Sequence, residues 1–254
     1  MRVTVCQMRH EPHLMETDWN RLVQHVGNES SELVLLPEMP FSSWFPKDRE
    51  FRIDEWEKAV RTHEVWIRRL KALHPAAVIS TRPVNRGVKR HNQCFASLPG
   101  RIIEIHKKRY LPDEPGFWEA SWYHPGPRRF KPADLPGCRI GILICTEIWF
   151  FQHARHYASM GVQLLAHPRA TGRDTLDKWL AGGRAAAVVS GAFCLSSNRI
   201  CETESPDLGG MGWIIDPDGR VLGTTSQTKP FLTLDLDLKS ADRAKSTYPR
   251  YVIE

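Results

Sequence analysis

Apolar residues along the chain fall into short blocks rather than one long periodic run. Residues 2–8 alternate apolar and polar side chains, and residues 33–36 form a four-residue apolar block that stops at Pro37. Both patterns predict strands. Residues 76–81, 93–98 and 101–106 add three more, the last two flanking the turn pair Pro99-Gly100. A mostly apolar block at 138–145 suits a buried strand. Further strands are predicted at 162–166, 192–199, 212–215 and 231–236, with Pro217-Asp218-Gly219 supplying turn chemistry for the last hairpin. Between them, Trp56, Val60, Trp66 and Leu70 share one face of a predicted helix over 54–73. Residues 152–160 and the alanine-rich 175–190 are also predicted helices. Strands alternating with helices and hairpins point to a layered α/β domain with mixed sheets. No repeat or Gly/Ser-rich linker divides it, so residues 1–254 are expected to form a single domain.

Composition narrows the class without naming a function. At 41% hydrophobic and 25% charged, the chain is that of an ordinary globular protein. It lacks the apolar stretch of a transmembrane helix or a signal peptide, so a cytoplasmic protein with no membrane partner is expected. The net charge of +6 raises the question of nucleic acid. The basic residues are diffuse, however, with Lys107-Lys108-Arg109 and Arg128-Arg129 the densest clusters, so no nucleic-acid partner is expected. Six cysteines are scattered without a C-x-x-C pair, which supports neither a zinc ribbon nor a redox motif. His153 and His156 stand at helical spacing but lack a recognisable third ligand, so no metal is expected.

Chemistry enters at the strand ends. Ligands of α/β folds gather beyond the carboxyl ends of strands. There the chain presents Glu38 in "LVLLPEMPF", Lys107 and Lys108 in "IIEIHKKRYLPDEPGF", and Cys145 in "GILICTEIW". Taken singly, a carboxylate or lysine at such a place also reads as a solvated loop charge, and a cysteine as core packing. A carboxylate, an ammonium and a thiol together make a specific arrangement.

These segments resemble the nitrilase superfamily of carbon–nitrogen hydrolases. Its three motifs occur in family order: L-P-E-M around Glu38, K-x-x-L-P around Lys108 and C-x-E/D-x-W/F around Cys145. "KRYLPDEPGFWEASWYHPG" and "GRAAAVVSGAFCLSSNRI" are similar to the N-carbamoylputrescine amidase-like branch. The resemblance implies a four-layer α-β-β-α sandwich with two mixed β-sheets and a homodimer or higher homo-oligomer. It also implies cofactor-independent hydrolysis of a small amide or N-carbamoyl compound through a cysteine thioester. A nitrilase that converts a small nitrile to acid and ammonia is the alternative.

By the same resemblance Glu38, Lys108 and Cys145 form a catalytic triad, Lys108 being chosen over Lys107 by its spacing from Leu111-Pro112. The chemistry fits these residue types. A thiol needs a base to become a nucleophile, and the oxyanion it generates needs fixed positive charge or donors. The resemblance adds Glu119 as a residue that orients the lysine, with Glu114 a decoy nearer in sequence, and the backbone N–H of Thr146 as an oxyanion donor. Trp44, Trp118 and Trp149, together with Trp179, read equally as pocket walls or core. Arg169 stands where relatives have small or hydroxyl residues. It reads as a substrate-carboxylate ligand or as an outward salt bridge. Glu147 departs from the aspartate of the carbamoyl branch.

Overall fold

The computed structural model describes residues 1–9, 11–201 and 206–252. In chain order its first half comprises β1 (Arg2–Arg9), α1 (Pro12–Glu29), β2 (Leu33–Leu35), α2 (Ile53–Arg69), β3 (Ala77–Arg86), β4 (Lys89–Leu98), β5 (Arg101–Lys107) and the single turn α3 (Glu119–Trp122). Then follow β6 (Ala133–Leu135), β7 (Cys138–Ile142), α4 (Phe151–Ser159), β8 (Leu164–Arg169), α5 (Leu176–Ser190), β9 (Phe193–Ile200), β10 (Trp213–Ile215), β11 (Val221–Thr224), β12 (Phe231–Asp235) and α6 (Leu238–Ala244).

The strands form two sheets joined at one seam. In the first, β5, β4, β3, β2 and β1 lie in that order, and β12 covers the far edge of β1. In the second, β6, β7, β8 and β9 are followed by the β10–β11 hairpin. β1 belongs to both. Val3–Val5 pair with β2, while Gln7–Arg9 pair in parallel with Asn198–Ile200 of β9.

Side-chain alternation then builds the layers. Val3, Val5, Leu33, Leu35 and Ile79 from the first sheet meet Ile140, Ile142, Leu164, Ala166 and Leu195 from the second in one core. The opposite parity serves the outer faces, because successive strand side chains point to opposite sides. Cys6, Met8, Val34 and Val78 pack under Met15, Trp19, Leu22 and Val26 of α1 and Trp66 and Ile67 of α2. Leu143, Leu165, Cys194 and Trp213 pack under Tyr157 of α4 and Ala186 and Ala187 of α5. Each fully buried large apolar side chain contributes about 1.5–3 kcal/mol. The result is the expected four-layer α-β-β-α arrangement with mixed sheets.

The structure corrects several element expectations. α1 and α6 are additional helices, although Met15, Trp19, Leu22 and Val26 recur at helical spacing. β6 and β11 are additional strands of three and four residues. The Pro217–Gly219 turn therefore closes the β10–β11 hairpin rather than leading to β12, with Gly219 at φ +82°. The block at 138–145 is strand only through Ile142; Cys145 opens a one-turn 3₁₀ helix, Cys145–Trp149. All six cysteines are buried. Among the described residues no helix is long and apolar enough to cross a membrane.

Candidate active site

Parallel pairing of β1–β2–β3 and of β7–β8–β9 sends the carboxyl ends of both sets toward the seam. Glu38 lies three residues past β2, Lys108 directly past β5, and Cys145 three residues past β7. A backbone bond from Glu38 N–H to the Arg169 carbonyl at the end of β8 (3.3 Å) ties the two sheets together there.

Lys108 is the hub. Its Nζ donates to Glu38 Oε1 at 2.8 Å and to Glu119 Oε1 at 2.7 Å, and all three side chains are shut off from solvent. Glu38 Oε1 also accepts from Asn92 Nδ2 at 2.7 Å. Asn92 in turn accepts the Lys108 backbone N–H through its carbonyl at 2.9 Å. Burial alone would lower the Lys108 pKa, but the charges of Glu119 and Glu38 outweigh it and hold the ammonium firmly protonated. One ammonium between two buried carboxylates balances only one negative charge. Burial, opposed by Lys108 and assisted by Glu38, pushes Glu119 up to about 8.

Cys145 sits on a turn that most side chains avoid. Its φ of +47° lies in the left-handed region, which costs about 1–3 kcal/mol for a residue other than glycine. The cost is sustained by ties around the turn. Glu147 Oε2 accepts from Ile144 N–H at 2.8 Å, Oε1 accepts from Arg109 N–H at 2.6 Å, and His106 Nε2 lies 2.9 Å from both oxygens. Glu147 therefore fastens the Cys145 turn to the segment carrying Lys108, and it is fully buried. The Cys145 thiol itself contacts the Ala170 carbonyl at 3.9 Å. Desolvation pushes its pKa well up; Lys108 lowers it, and Glu38 and Glu119 raise it further. These influences together favour the protonated thiol.

A cavity of about 280 Å³ opens at Cys145, walled by Thr146, Phe117, Ala170, Thr171 and Trp179. Its other side chains include Glu114 and Asp174, both exposed, and no Lys or Arg. Lys108 and Glu38 are not among its lining residues; both act electrostatically on the Cys145 thiol.

The remaining anticipated residues divide. Thr146 lines the cavity, but its hydroxyl donates to the Tyr110 carbonyl at 2.7 Å, leaving its backbone N–H as the group of interest. Glu114, the decoy, reaches the cavity rim, while Glu119 meets the lysine. Trp44 is packed behind the wall, donating to the Gly116 carbonyl and contacting Phe117. Trp118 lies under Arg49 at 5.0 Å, and Trp149 packs on Trp179; neither lines the cavity, whereas Trp179 does. Among the described residues Arg169 forms no salt bridge, and it is not part of the cavity wall. Its guanidinium is fully buried against Trp213, 4.0 Å from the ring, and bonds to protein oxygens. His153 meets the Tyr110 hydroxyl at 2.9 Å and stacks on Phe130. Asn92 and Gly126 are the site residues that sequence reasoning missed. His91-Asn92-Gln93, three polar residues running inside a strand, was the available signal, and all three are buried. At Gly126 a Cβ would lie 2.1 Å from the Lys107 carbonyl oxygen, so only glycine fits against the lysine segment.

The raised Glu119 pKa has a consequence for pH. Its unfolded-state value is near 4.5, so between 4.5 and about 8 the fold binds a proton that the unfolded chain has released. Stability from this group therefore falls as pH rises through that window. Glu119→Gln should remove this slope in denaturant melts across pH 5 to 8. It should also flatten any activity loss on crossing pH 8, where ionised Glu119 would otherwise offset the Lys108 charge. A slope unchanged in the variant would contradict the assignment.

Comparison with known proteins places this geometry. The carbon-nitrogen hydrolase family profile matches residues 2–246. The citrullinase of Francisella tularensis is 25% identical over 202 residues, covering 74% of this chain and 69% of the relative. The N-carbamoylputrescine amidase of Arabidopsis thaliana is 26% identical over 247 residues, covering 88% of this chain and 82% of the relative. The crystal structure of a carbon-nitrogen hydrolase from Helicobacter pylori G27 superposes with a TM-score of 0.89 at 20% identity, over 99% of this chain and 94% of that one. Motifs, sheet topology and a family match spanning nearly the whole sequence agree, and the chain belongs to the carbon-nitrogen hydrolase family.

Proposed function

We propose that this carbon–nitrogen hydrolase cleaves a small amide or N-carbamoyl compound with Cys145 as nucleophile, Glu38 as base and acid, and Lys108 as the fixed cation. The observation that carries the reading is the division of labour on Glu38. Its Oε1 is taken by Lys108 and Asn92, while its buried Oε2 has no hydrogen-bond partner among the described residues. A carboxylate with one anchored and one open oxygen, acting electrostatically on a protonated thiol, is equipped to accept that thiol's proton.

The steps then balance. The Cys145 S–H proton passes to Glu38 as sulfur bonds to the carbonyl carbon. The resulting oxyanion is met by the Lys108 ammonium and the Thr146 backbone N–H, which stands in the first turn of a helix and has no intrahelical acceptor. Glu38 returns the proton to nitrogen as the C–N bond breaks, leaving a thioester. Water loses a proton to Glu38 and attacks the thioester, and the departing sulfur regains that proton.

An acidic rim without Lys or Arg disfavours anionic substrates. The citrullinase and N-carbamoylputrescine amidase names of two relatives support an amide or carbamoyl compound over a nitrile. Glu147, which departs from the aspartate of the carbamoyl branch, serves the turn rather than the cavity wall. Incubation with matched amide, N-carbamoyl and nitrile panels separates the readings by product. Ammonia with free acid from amides, or ammonia with carbon dioxide and amine from carbamoyl compounds, is expected; turnover confined to nitriles would replace this reading with the nitrilase one.

A further inference from the structure

Arg169 is a fully buried guanidinium, and among the described residues no carboxylate pairs with it. An unpaired buried charge is costly, so what its donors hold is informative. Nε donates to Ser196 Oγ at 2.9 Å and Nη2 to the carbonyls of Gly210 and Met211. Nη1 donates to the hydroxyl oxygen of Thr171 at 2.6 Å. Burial lowers the Arg169 pKa only to about 9, so the group remains a cation at neutral pH.

That last bond decides the direction of a second one. A guanidinium has donors and no acceptor, so the Thr171 oxygen must be the acceptor in it. The hydroxyl proton is then left over, and no acceptor for it is found among the described residues. The Thr171 backbone is already spent. Its N–H donates to Asn198 Oδ1 at 3.1 Å, and its carbonyl accepts from Gly209 N–H at 2.9 Å. Yet Thr171, almost completely buried, lines the cavity that Cys145 opens onto. Only its side chain remains to meet what enters.

We propose that Thr171 is a substrate-binding residue whose hydroxyl, fixed as a donor by Arg169, selects substrates with a neutral oxygen acceptor remote from the scissile carbonyl. A neutral oxygen is favoured over a carboxylate because Glu114 and Asp174 share the same cavity. Arg169 is then a positioning residue: it reaches the substrate through Thr171. The inference rests on the proposed amide hydrolysis at Cys145.

The test uses primary amides with an ether oxygen moved stepwise along the acyl chain, each paired with its all-carbon isostere. An ether oxygen accepts and cannot donate, so it isolates this contact from Glu114 and Asp174. The wild type should favour the ether member of the best-placed pair by about tenfold in kcat/KM, the size of one hydrogen bond. Thr171→Ser should keep the preference and Thr171→Val should erase it. Because the readout is a ratio within one protein, a general loss of stability does not imitate it, and Thr171→Ala reads the same ratio if the valine variant fails to fold. No preference in the wild type at any position, or a preference retained in both the valine and alanine variants, overturns the proposal. Acylation of Cys145, followed by mass in the same reactions, keeps the two readings apart. Acylation without an ether preference sinks the Thr171 proposal alone, whereas absence of acylation by any amide sinks the hydrolase mechanism beneath it.

Discussion

Cys145→Ala is expected to abolish amide turnover, by on the order of 10⁴- to 10⁶-fold, with the fold retained. The size follows from the role, because no other described cysteine occupies a comparable place. Cys6, Cys94, Cys138 and Cys194 are strand residues whose pKa burial raises to about 12 or beyond, and Cys201, just past β9, is buried with its Sγ donating to Glu11 Oε1 at 3.4 Å. Retention of the fold follows from the packing. Alanine removes one sulfur from a side chain bordering a cavity and leaves the Glu147 ties to Ile144 and Arg109 in place. Left-handed backbone at this position is no easier for alanine than for cysteine, so any stability change should lie within about 1 kcal/mol. Product assays with thermal melts check both halves. Substantial turnover in the variant would remove the sulfur from the mechanism.

The second large effect is expected at Lys108, where function and stability fall together. Lys108→Met deletes the cation proposed to meet the oxyanion, and a loss of about 10²- to 10³-fold in kcat is expected by analogy with removal of a single oxyanion donor. It also strands Glu38 and Glu119 in a solvent-free site. Breaking a buried pair from one side costs about 3–5 kcal/mol. The sign of the pH dependence follows from the stranded acids. Lys108 lowers the Glu119 pKa, so without it Glu119 rises further and the folded variant keeps a proton that the unfolded chain has released. Its stability deficit relative to wild type should therefore be larger at pH 8 than at pH 5. Denaturant titrations at the two values decide this. A deficit independent of pH would mean that lost packing, rather than stranded charge, is responsible.

Much of this site was legible because strand ends are marked by simple patterns. The apolar block at 33–36 halts at Pro37 and exposes Glu38; "IIEIHKK" ends in charge; "GILIC" ends in a thiol. What the pattern could not carry was anything set by parity or by loops. A strand reading that runs through Cys145 misses the left-handed turn that presents it, because apolar content does not report φ. Asn92 looks like one polar residue among several until β4 lies between β3 and β5 and turns it to Glu38. Arg169 is read from sequence as a substrate-carboxylate ligand or an outward salt bridge, since a buried guanidinium without a carboxylate is rare. Only the packing of β8 on β9 and the Gly210–Met211 carbonyls makes it an interior residue. The four-layer fold was clearer than its edges. Val221–Thr224 is short, half-exposed and interrupted by Gly223, which hides a strand from any pattern reader.

The central claim is that Cys145 carries the acyl group of the substrate between two half-reactions. Its most direct test is to mix enzyme with a turned-over amide, quench in acid within one turnover, and map the adduct by peptide mass. The account predicts an increase equal to the acyl group on the peptide holding Cys145, formed as one equivalent of amine or ammonia is released. Release of product with no adduct there, or an adduct on any of the other five cysteines, would contradict it.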